Sequence, residues 1–180
     1  MKKSITLILA LVIVMFAQAQ LFSTQTGKVS FFSKTPIEDI DGTSRSVLAV
    51  LNAANNEMAI IITNTTFSFP NKLMEEHFNE KYMQSDKFPT STFKGKINEA
   101  VDLSKDAEYK VTVTGKLNIH GVEVERTISG NITSKNGEIR LVSGFPVKNA
   151  DHKIEIPKLV VSKIAETLDV SVDITLLPKK

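Results

Sequence analysis

Between Lys110 and Val147 the chain alternates apolar and polar residues with a period of two, interrupted only by two tight-turn signals. Val111, Val113, Leu117 and Ile119 fall on one side of the first run, and Lys110, Thr112, Thr114, Lys116 and Asn118 on the other. Such alternation predicts a half-buried strand. After His120-Gly121 the apolar side continues with Val122, Val124, Ile128 and Ile132, while Glu123, Glu125, Thr127, Ser129 and Asn131 face outward. A hairpin at His120-Gly121 follows. Asn136-Gly137 is a second turn signal, because both positions tolerate positive φ. Beyond it Ile139, Leu141, Phe145 and Val147 alternate with Glu138, Arg140 and Gly144. Three consecutive antiparallel strands are the result.

The same rule predicts strands over 28–34 (Val29, Phe31), 44–52 (Leu48, Val50), 57–63 (Met58, Ile60, Ile62), 92–98 (Phe93, Ile97) and 168–176 (Val170, Val172, Ile174). Eight short strands, each with one apolar and one polar face, make an all-β fold, either an up-and-down barrel or a sandwich. Closing eight strands leaves an interior that side chains fill or that holds one small ligand. Two segments break the pattern. Asn71 is a candidate N-cap for a short helix to about Tyr82, with Leu73, Met74, Phe78 and Tyr82 on one face, and a turn containing Pro89 ends it. Lys148 to Thr167 is a long apolar connection, of the kind that is functional or packs against something. With no internal repeat, low-complexity tract or linker, one domain is expected.

Met1-Lys2-Lys3, the apolar run from Ile5 to Phe16 and Ala17-Gln18-Ala19 have the layout of a secretory signal peptide. Residues 1–19 are therefore expected to be removed, leaving a domain over 20–180. The apolar run is shorter than the about 20 residues a membrane-spanning helix needs, so no stable membrane anchor is expected. Losing Lys2 and Lys3 lowers the basic count from 22 to 20, against 20 acidic residues. The mature charge is then zero, without the basic excess of a nucleic-acid binder. With no cysteine, there is neither a disulfide framework nor thiol chemistry, and stability must come from an apolar core.

Residues that carry chemistry are sparse. His77, His120 and His152 are far apart and lack a metal-binding spacing. Glu76 and Glu80 with His77 would be a metal reading of the helix, but a solvated acidic face explains them better. His120 reads as a turn residue. Asp151-His152 invites a general-base role, which adjacent residues on an extended chain serve badly because they point to opposite faces. Glu38-Asp39-x-Asp41 reads as a loop, and Glu123-x-Glu125 as an outward strand face. No nucleophile elbow, thiol or glycine-rich phosphate loop is present. An enzyme is the minority expectation, and no cofactor or metal is expected.

The order of these pieces is informative. Val29-Ser30-Phe31 comes early. Met74-Glu75-Glu76-His77-Phe78 follows on the helix, then Lys87-Phe88-Pro89-x-x-x-Phe93, then Gly115-x-Leu117-x-Ile119-x-Gly121-Val122. Phe145-x-Val147, Asp151 and Ile156-Pro157 complete the series. In motifs and spacing, over nearly all of the chain after residue 19, the sequence resembles the YceI family. That resemblance implies a lipocalin-like, eight-stranded antiparallel barrel with one short helix near its end. It also implies a periplasmic or secreted location and an elongated interior that binds a polyisoprenoid, an isoprenoid quinone or a similar amphiphilic lipid. The chain departs from the family at Gln20-Leu21-Phe22-Ser23 and at Asp151-His152-Lys153-Ile154, where the family often has an aromatic or acidic opening and an Asp-Phe-Gly-Ile-like stretch. Those departures bear on which ligand fits.

The side chains expected to line the interior are Phe31, Leu48, Ile60, Ile62, Phe93, Val113, Leu117, Val124, Ile128, Leu141 and Phe145, with Met74 and Phe78 from the helix. Periodicity identifies a buried face, not an empty one, so the same residues would equally make a solid core. Around Val47-Leu48-Ala49-Val50-Leu51 every residue is apolar and the inward register is open. Three readings result: a non-catalytic lipid carrier or store, a solid barrel serving as a protein-partner or stress-related module, and an enzyme whose His152 or Glu155 points inward with a shifted pKa. A homodimer is left open.

Overall fold

The computed structural model describes residues 21–179; the expected signal peptide lies outside the described residues. They form ten strands: β1 (Leu21–Thr24), β2 (Lys28–Lys34), β3 (Asp39–Ser44), β4 (Val47–Asn52), β5 (Glu57–Thr63), β6 (Thr90–Ile97), β7 (Ala107–Ile119), β8 (Val122–Lys135), β9 (Glu138–Lys148) and β10 (Thr167–Pro178). All neighbours are antiparallel, in the order β1-β4-β5-β6-β7-β8-β9-β10, and β10 returns to pair with β1. This closes an eight-stranded barrel, and closure removes the sheet edges.

The two extra strands are halves of longer ones. Val29 pairs with Ser44 and Thr24 with Ala49, so β1–β2 and β3–β4 run side by side in one unbroken register. Against β10 the count differs. Phe22 faces Pro178 and Val29 faces Val172, so seven steps on one strand match six on the other. The extra residue is a bulge in the 25–27 break, and bulges bend a strand. Gly27 donates to the Arg45 carbonyl across this corner.

Both tight turns form as read. His120 and Gly121 have φ of 53° and 72°, Asn136 and Gly137 φ of 53° and 78°, the pairing of positive angles that matches hairpin twist. Two sequence expectations are corrected. Asp39 and Asp41 lie in β3, paired with Lys34 and Phe32, rather than in a loop; outward carboxylates had masked a strand with a glycine at its inner position. The single strand expected over 44–52 breaks at Arg45-Ser46.

The barrel has one solid end. Phe22, Leu51, Ile97, Ile132, Ile139, Ile174 and Leu176 are almost wholly buried there, and Leu103 from the loop between β6 and β7 closes the bottom, its carbonyl accepting from Ser134 Oγ at 3.0 Å. At the other end β3 leaves the wall. By the β4–β5 register Thr43 would face Thr66, but a 3-10 turn at Asn64–Thr66 interrupts the strand and Thr43 bridges Ser68 instead. The chain then enters helix α1 (Lys72–His77), with the Asn71 side chain accepting from the Leu73 amide at 2.9 Å as its cap. A π-turn over Phe78–Tyr82 continues it, closed by the Met83 amide on the Phe78 carbonyl.

Candidate functional site: an apolar cavity with an outer vestibule

Above the solid end the inward side chains stop meeting. They leave a cavity of about 180 Å³. Ile60 and Ile62 line it from β5, Phe93 from β6, Val113 and Leu117 from β7, Ile128 from β8, and Leu141 and Phe145 from β9. Among the described residues no charged side chain lines it. A second hollow of about 320 Å³ lies outside it, under α1 and the connection between β9 and β10. Phe31, Phe78, Met83, Asn149, Ile154 and Leu168 line both. The two are therefore adjacent chambers that share a wall.

Four phenylalanine rings form the wall between them. Phe31 stacks on Phe78 at 5.5 Å, and Phe67 and Phe69 pack against both at 5.1 to 5.7 Å. Gly42, directly opposite Phe31 on β3, makes room: a Cβ there would lie 2.6 Å from the Phe31 ring. Met74 faces only the outer chamber.

Two expected lining residues fall elsewhere. Leu48 points out of the barrel and is 44% exposed, because Val47, Ala49 and Leu51 take the inner positions of β4. Val124 sits opposite Leu117 on the inner side but lines neither chamber; it lies at the rim, beside the β7–β8 turn. Met83 and Asn149, which pattern reading missed, line both. The π-turn shifts Met83 off helical spacing, and Asn149 carries no sequence signal.

The outer chamber is where charged and titratable groups gather. Glu38, Asn71, His77, Tyr82 and Lys163 reach it, and burial pushes the Tyr82 phenol above its usual pKa. Glu76 and Glu80 are exposed. Among the described residues no three His, Asp or Glu side chains cluster closely enough to hold a metal ion.

The long connection between β9 and β10 is a strap over this chamber. Asn149 ties its ends: its amide N–H donates to the Glu166 carbonyl at 2.9 Å and its Nδ2 to the Ala165 carbonyl at 3.0 Å. The Ala165 amide in turn donates to Ser33 Oγ at 2.9 Å. Loops with such close ends are compact surface units, frequently functional. Lys163 reaches Glu38 of the β2–β3 turn at 3.6 Å.

His152 is fully buried at the foot of the strap, with Nδ1 3.1 Å from the Val122 carbonyl. His120 Nδ1 lies 3.2 Å from the His152 carbonyl. The two rings thus fasten the strap to the β7–β8 turn. Burial, more than any neighbouring charge, holds the His152 pKa below its usual value. His152 lines neither chamber and Glu155 is exposed, so neither is placed as an internal acid or base. Phe88 packs edge-on to His120 at 4.6 Å, and its carbonyl accepts from buried Asn64 at 2.6 Å. The two most distinctive motifs, around Phe88 and around His120-Gly121, therefore meet at the open end.

Comparison with known proteins agrees with this architecture. A polyisoprenoid binding domain from Saccharophagus degradans, implicated in plant cell wall breakdown, superposes with a TM-score of 0.77 at 15% identity, over 90% of this chain and 100% of that one. BcnA of Burkholderia cenocepacia superposes with a TM-score of 0.70 at 18% identity, over 83% and 95%. The YCEI protein of Campylobacter jejuni gives 0.61 at 18%, over 77% and 84%. No curated protein matches the chain. The model of the YceI-like domain matches residues 14–176, and the chain belongs to the YceI-like family.

Proposed function

We propose that this protein binds a polyisoprenoid or a similar amphiphilic lipid, with its hydrocarbon tail in the barrel cavity and its head in the outer chamber. One observation carries the reading: an apolar cavity above the filled barrel floor adjoins, across Phe31 and Phe78, a chamber where charged side chains first appear. Each methylene moved from water into such a space gains on the order of 0.8 kcal/mol, so a chain of repeated isoprene units is favoured over a compact polar solute. The outer chamber lies within the size range of small-molecule sites, about 300–1,000 Å³. Its His77, Tyr82 and Asn71 suit a head that donates or accepts hydrogen bonds, as a phenol or quinone does. The polyisoprenoid binding domain from S. degradans, alike in fold, supports the same ligand class.

The role is that of a non-catalytic carrier or store. Nothing covalent is asked of a chain whose inner lining is uncharged. The layout of residues 1–19 supports export to the periplasm. Native mass spectrometry of the protein purified from its own host, followed by organic extraction, tests this reading. One isoprenoid per chain is the expected result. An unliganded mass that persists after incubation with isoprenoid alcohols and quinones would sink it in favour of a partner-binding barrel.

A further inference from the structure

The closed order of strands hides one incomplete seam. β8 and β9 pair from Lys135 and Glu138 only as far as Gly130 and Ser143, although β8 begins at Val122 and β9 runs on to Lys148. Above this fork β8 stays paired with β7 up to Val122, and β9 with β10 up to Lys148. The two upper halves therefore face each other as unpaired edges. Pro146 supplies the reason. Its carbonyl faces β8, where it accepts from Arg126 Nη2 at 2.9 Å. An antiparallel ladder needs an N–H from the same residue on that side, and proline has none.

Side chains bridge the gap at three heights. At the fork Ser143 Oγ donates to the Ser129 carbonyl at 2.7 Å, higher up Arg126 reaches Pro146, and at the top His152 Nδ1 meets the Val122 carbonyl. Between the first two lies a window, framed by Thr127 and Ile128 on β8 and by Gly144 and Phe145 on β9. Gly144 leaves it clear, since a Cβ there would meet nothing nearer than the Val170 carbonyl at 3.8 Å. Ile128 and Phe145 line the inner chamber behind it.

The chamber meets the surface at this fork. Of the described residues that line it, only Ser129, Asn131 and Val142 are exposed, and all three sit at the fork, on the outward faces of β8 and β9. Val142 is 38% exposed and still borders the cavity. An open edge otherwise invites a further strand, and proline and outward charges are what discourage one; Pro146 and the exposed Glu123 and Glu125 do so here.

We infer that the fork between β8 and β9 is a side portal through which an apolar tail enters the inner chamber, with Arg126 as its latch. The inference rests on the lipid-binding reading for its cargo, not for its geometry.

The chain has no cysteine, so a single introduced thiol reports entry without any lipid. Ile128→Cys places one in the inner chamber, and Ile139→Cys places one at the solid end, where only unfolding exposes it. Labelling of each by N-ethylmaleimide is timed with and without Arg126→Ala, a residue that lines neither chamber. Loss of the latch is expected to speed labelling of Ile128→Cys by about tenfold and to leave Ile139→Cys unchanged. Arg126→Met, which keeps the side-chain stem without the hydrogen bond, is expected to act in the same direction and serves if the alanine variant does not fold. In the cysteine-free chain, stopped-flow binding of the apolar fluorophore N-phenylnaphthylamine, displaced by farnesol, is expected to become faster in both association and release, at unchanged affinity. Labelling of Ile128→Cys that ignores Arg126, or that rises only in step with Ile139→Cys, would overturn the portal, and normal fluorophore and farnesol binding in that case would leave lipid binding standing. Labelling that depends on Arg126 in a protein that binds neither compound would support the portal while removing the lipid-binding reading.

Discussion

Phe31 and Phe78 stack with ring centroids 5.5 Å apart and planes 22° from parallel, and both rings line the inner and the outer chamber at once. The pair is the partition of the interior. Phe31 comes from a strand and Phe78 from the turn that continues α1, so the partition depends on where the helix sits over the barrel mouth.

Phe78→Ala is expected to merge the chambers. Its stability cost should lie near the lower end of the about 3–5 kcal/mol typical of such truncations, because the ring is only partly buried. Urea denaturation measures the cost. Relative affinity for isoprenoids of increasing length should shift toward longer chains, and an unchanged length preference would mean that the rings do not limit the interior.

Gly42→Ala tests the same wall from behind. The new Cβ would meet the Phe31 ring at 2.6 Å and the Phe69 ring at 3.0 Å, so Phe31 must swing into one of the chambers. Reduced stability and weaker lipid binding are expected together, and Phe31→Leu in the same chain should restore part of the stability. Additive losses in the double-mutant cycle would count against direct contact.

Gly121 and Gly137 form a matched pair. Both have positive φ, 72° and 78°, and an alanine at either position suffers a backbone cost of about 1–2 kcal/mol. Nothing lies within 4 Å of a Cβ on Gly137, whereas one on Gly121 collides with the Phe88 ring. Gly121→Ala should therefore be the more destabilising by denaturant midpoint, and Phe88→Ala should abolish that difference.

Asn149→Ala removes the Nδ2 bond to Ala165 that helps hold the strap ends together. Cleavage by a protease specific for lysine should accelerate at Lys158 and Lys163, with the barrel core remaining intact. Equal cleavage rates in variant and wild type would show that the backbone bond to Glu166 and the Ser33 contact suffice.

His152 gives the strap a pH dependence. Its pKa is held below the usual 6.5 in the folded chain by burial, so below that value the unfolded chain binds the extra proton first. The stability associated with neutral His152 is complete above about pH 6.5 and is lost as the pH falls toward the folded-state value, at no more than about 1.4 kcal/mol per pH unit. Asp151 and Arg126 act on the ring in opposite directions and are smaller influences. His152→Asn, which retains a donor for the Val122 carbonyl, should flatten the stability curve between pH 6.5 and 5 (about the range in which histidine titrates).

Much of the barrel is legible in alternation because a half-buried strand repeats every two residues. Lys28–Lys34 and Glu57–Thr63 coincide with their expected bounds, and the two hairpin turns sit where His120-Gly121 and Asn136-Gly137 put them. Leu48 shows where the rule fails. In a run of five apolar residues either face can be buried, and the choice is made by partners far away in sequence, Ile62 opposite Val47 and Phe22 opposite Leu51. Asp39–Ser44 is obscured for the opposite reason: after Ile40 its inner side offers only Gly42 and Ser44, and one apolar residue does not make a period. Whether buried side chains touch or leave space is a property of three dimensions, and no single strand carries it. Asn149 is beyond pattern reading for the same reason, since its partners at Ala165 and Glu166 lie across a loop.

The concentration of fully buried side chains at one end of the barrel separates two kinds of evolutionary constraint. Substitutions among Phe22, Leu51, Ile139 and Leu176 strike at whether the chain folds at all, while those among Phe31, Phe78, Met83 and the strap change what the folded chain accommodates. A lineage can therefore explore new cargoes at the hollow end while the floor of the barrel keeps each intermediate sequence viable.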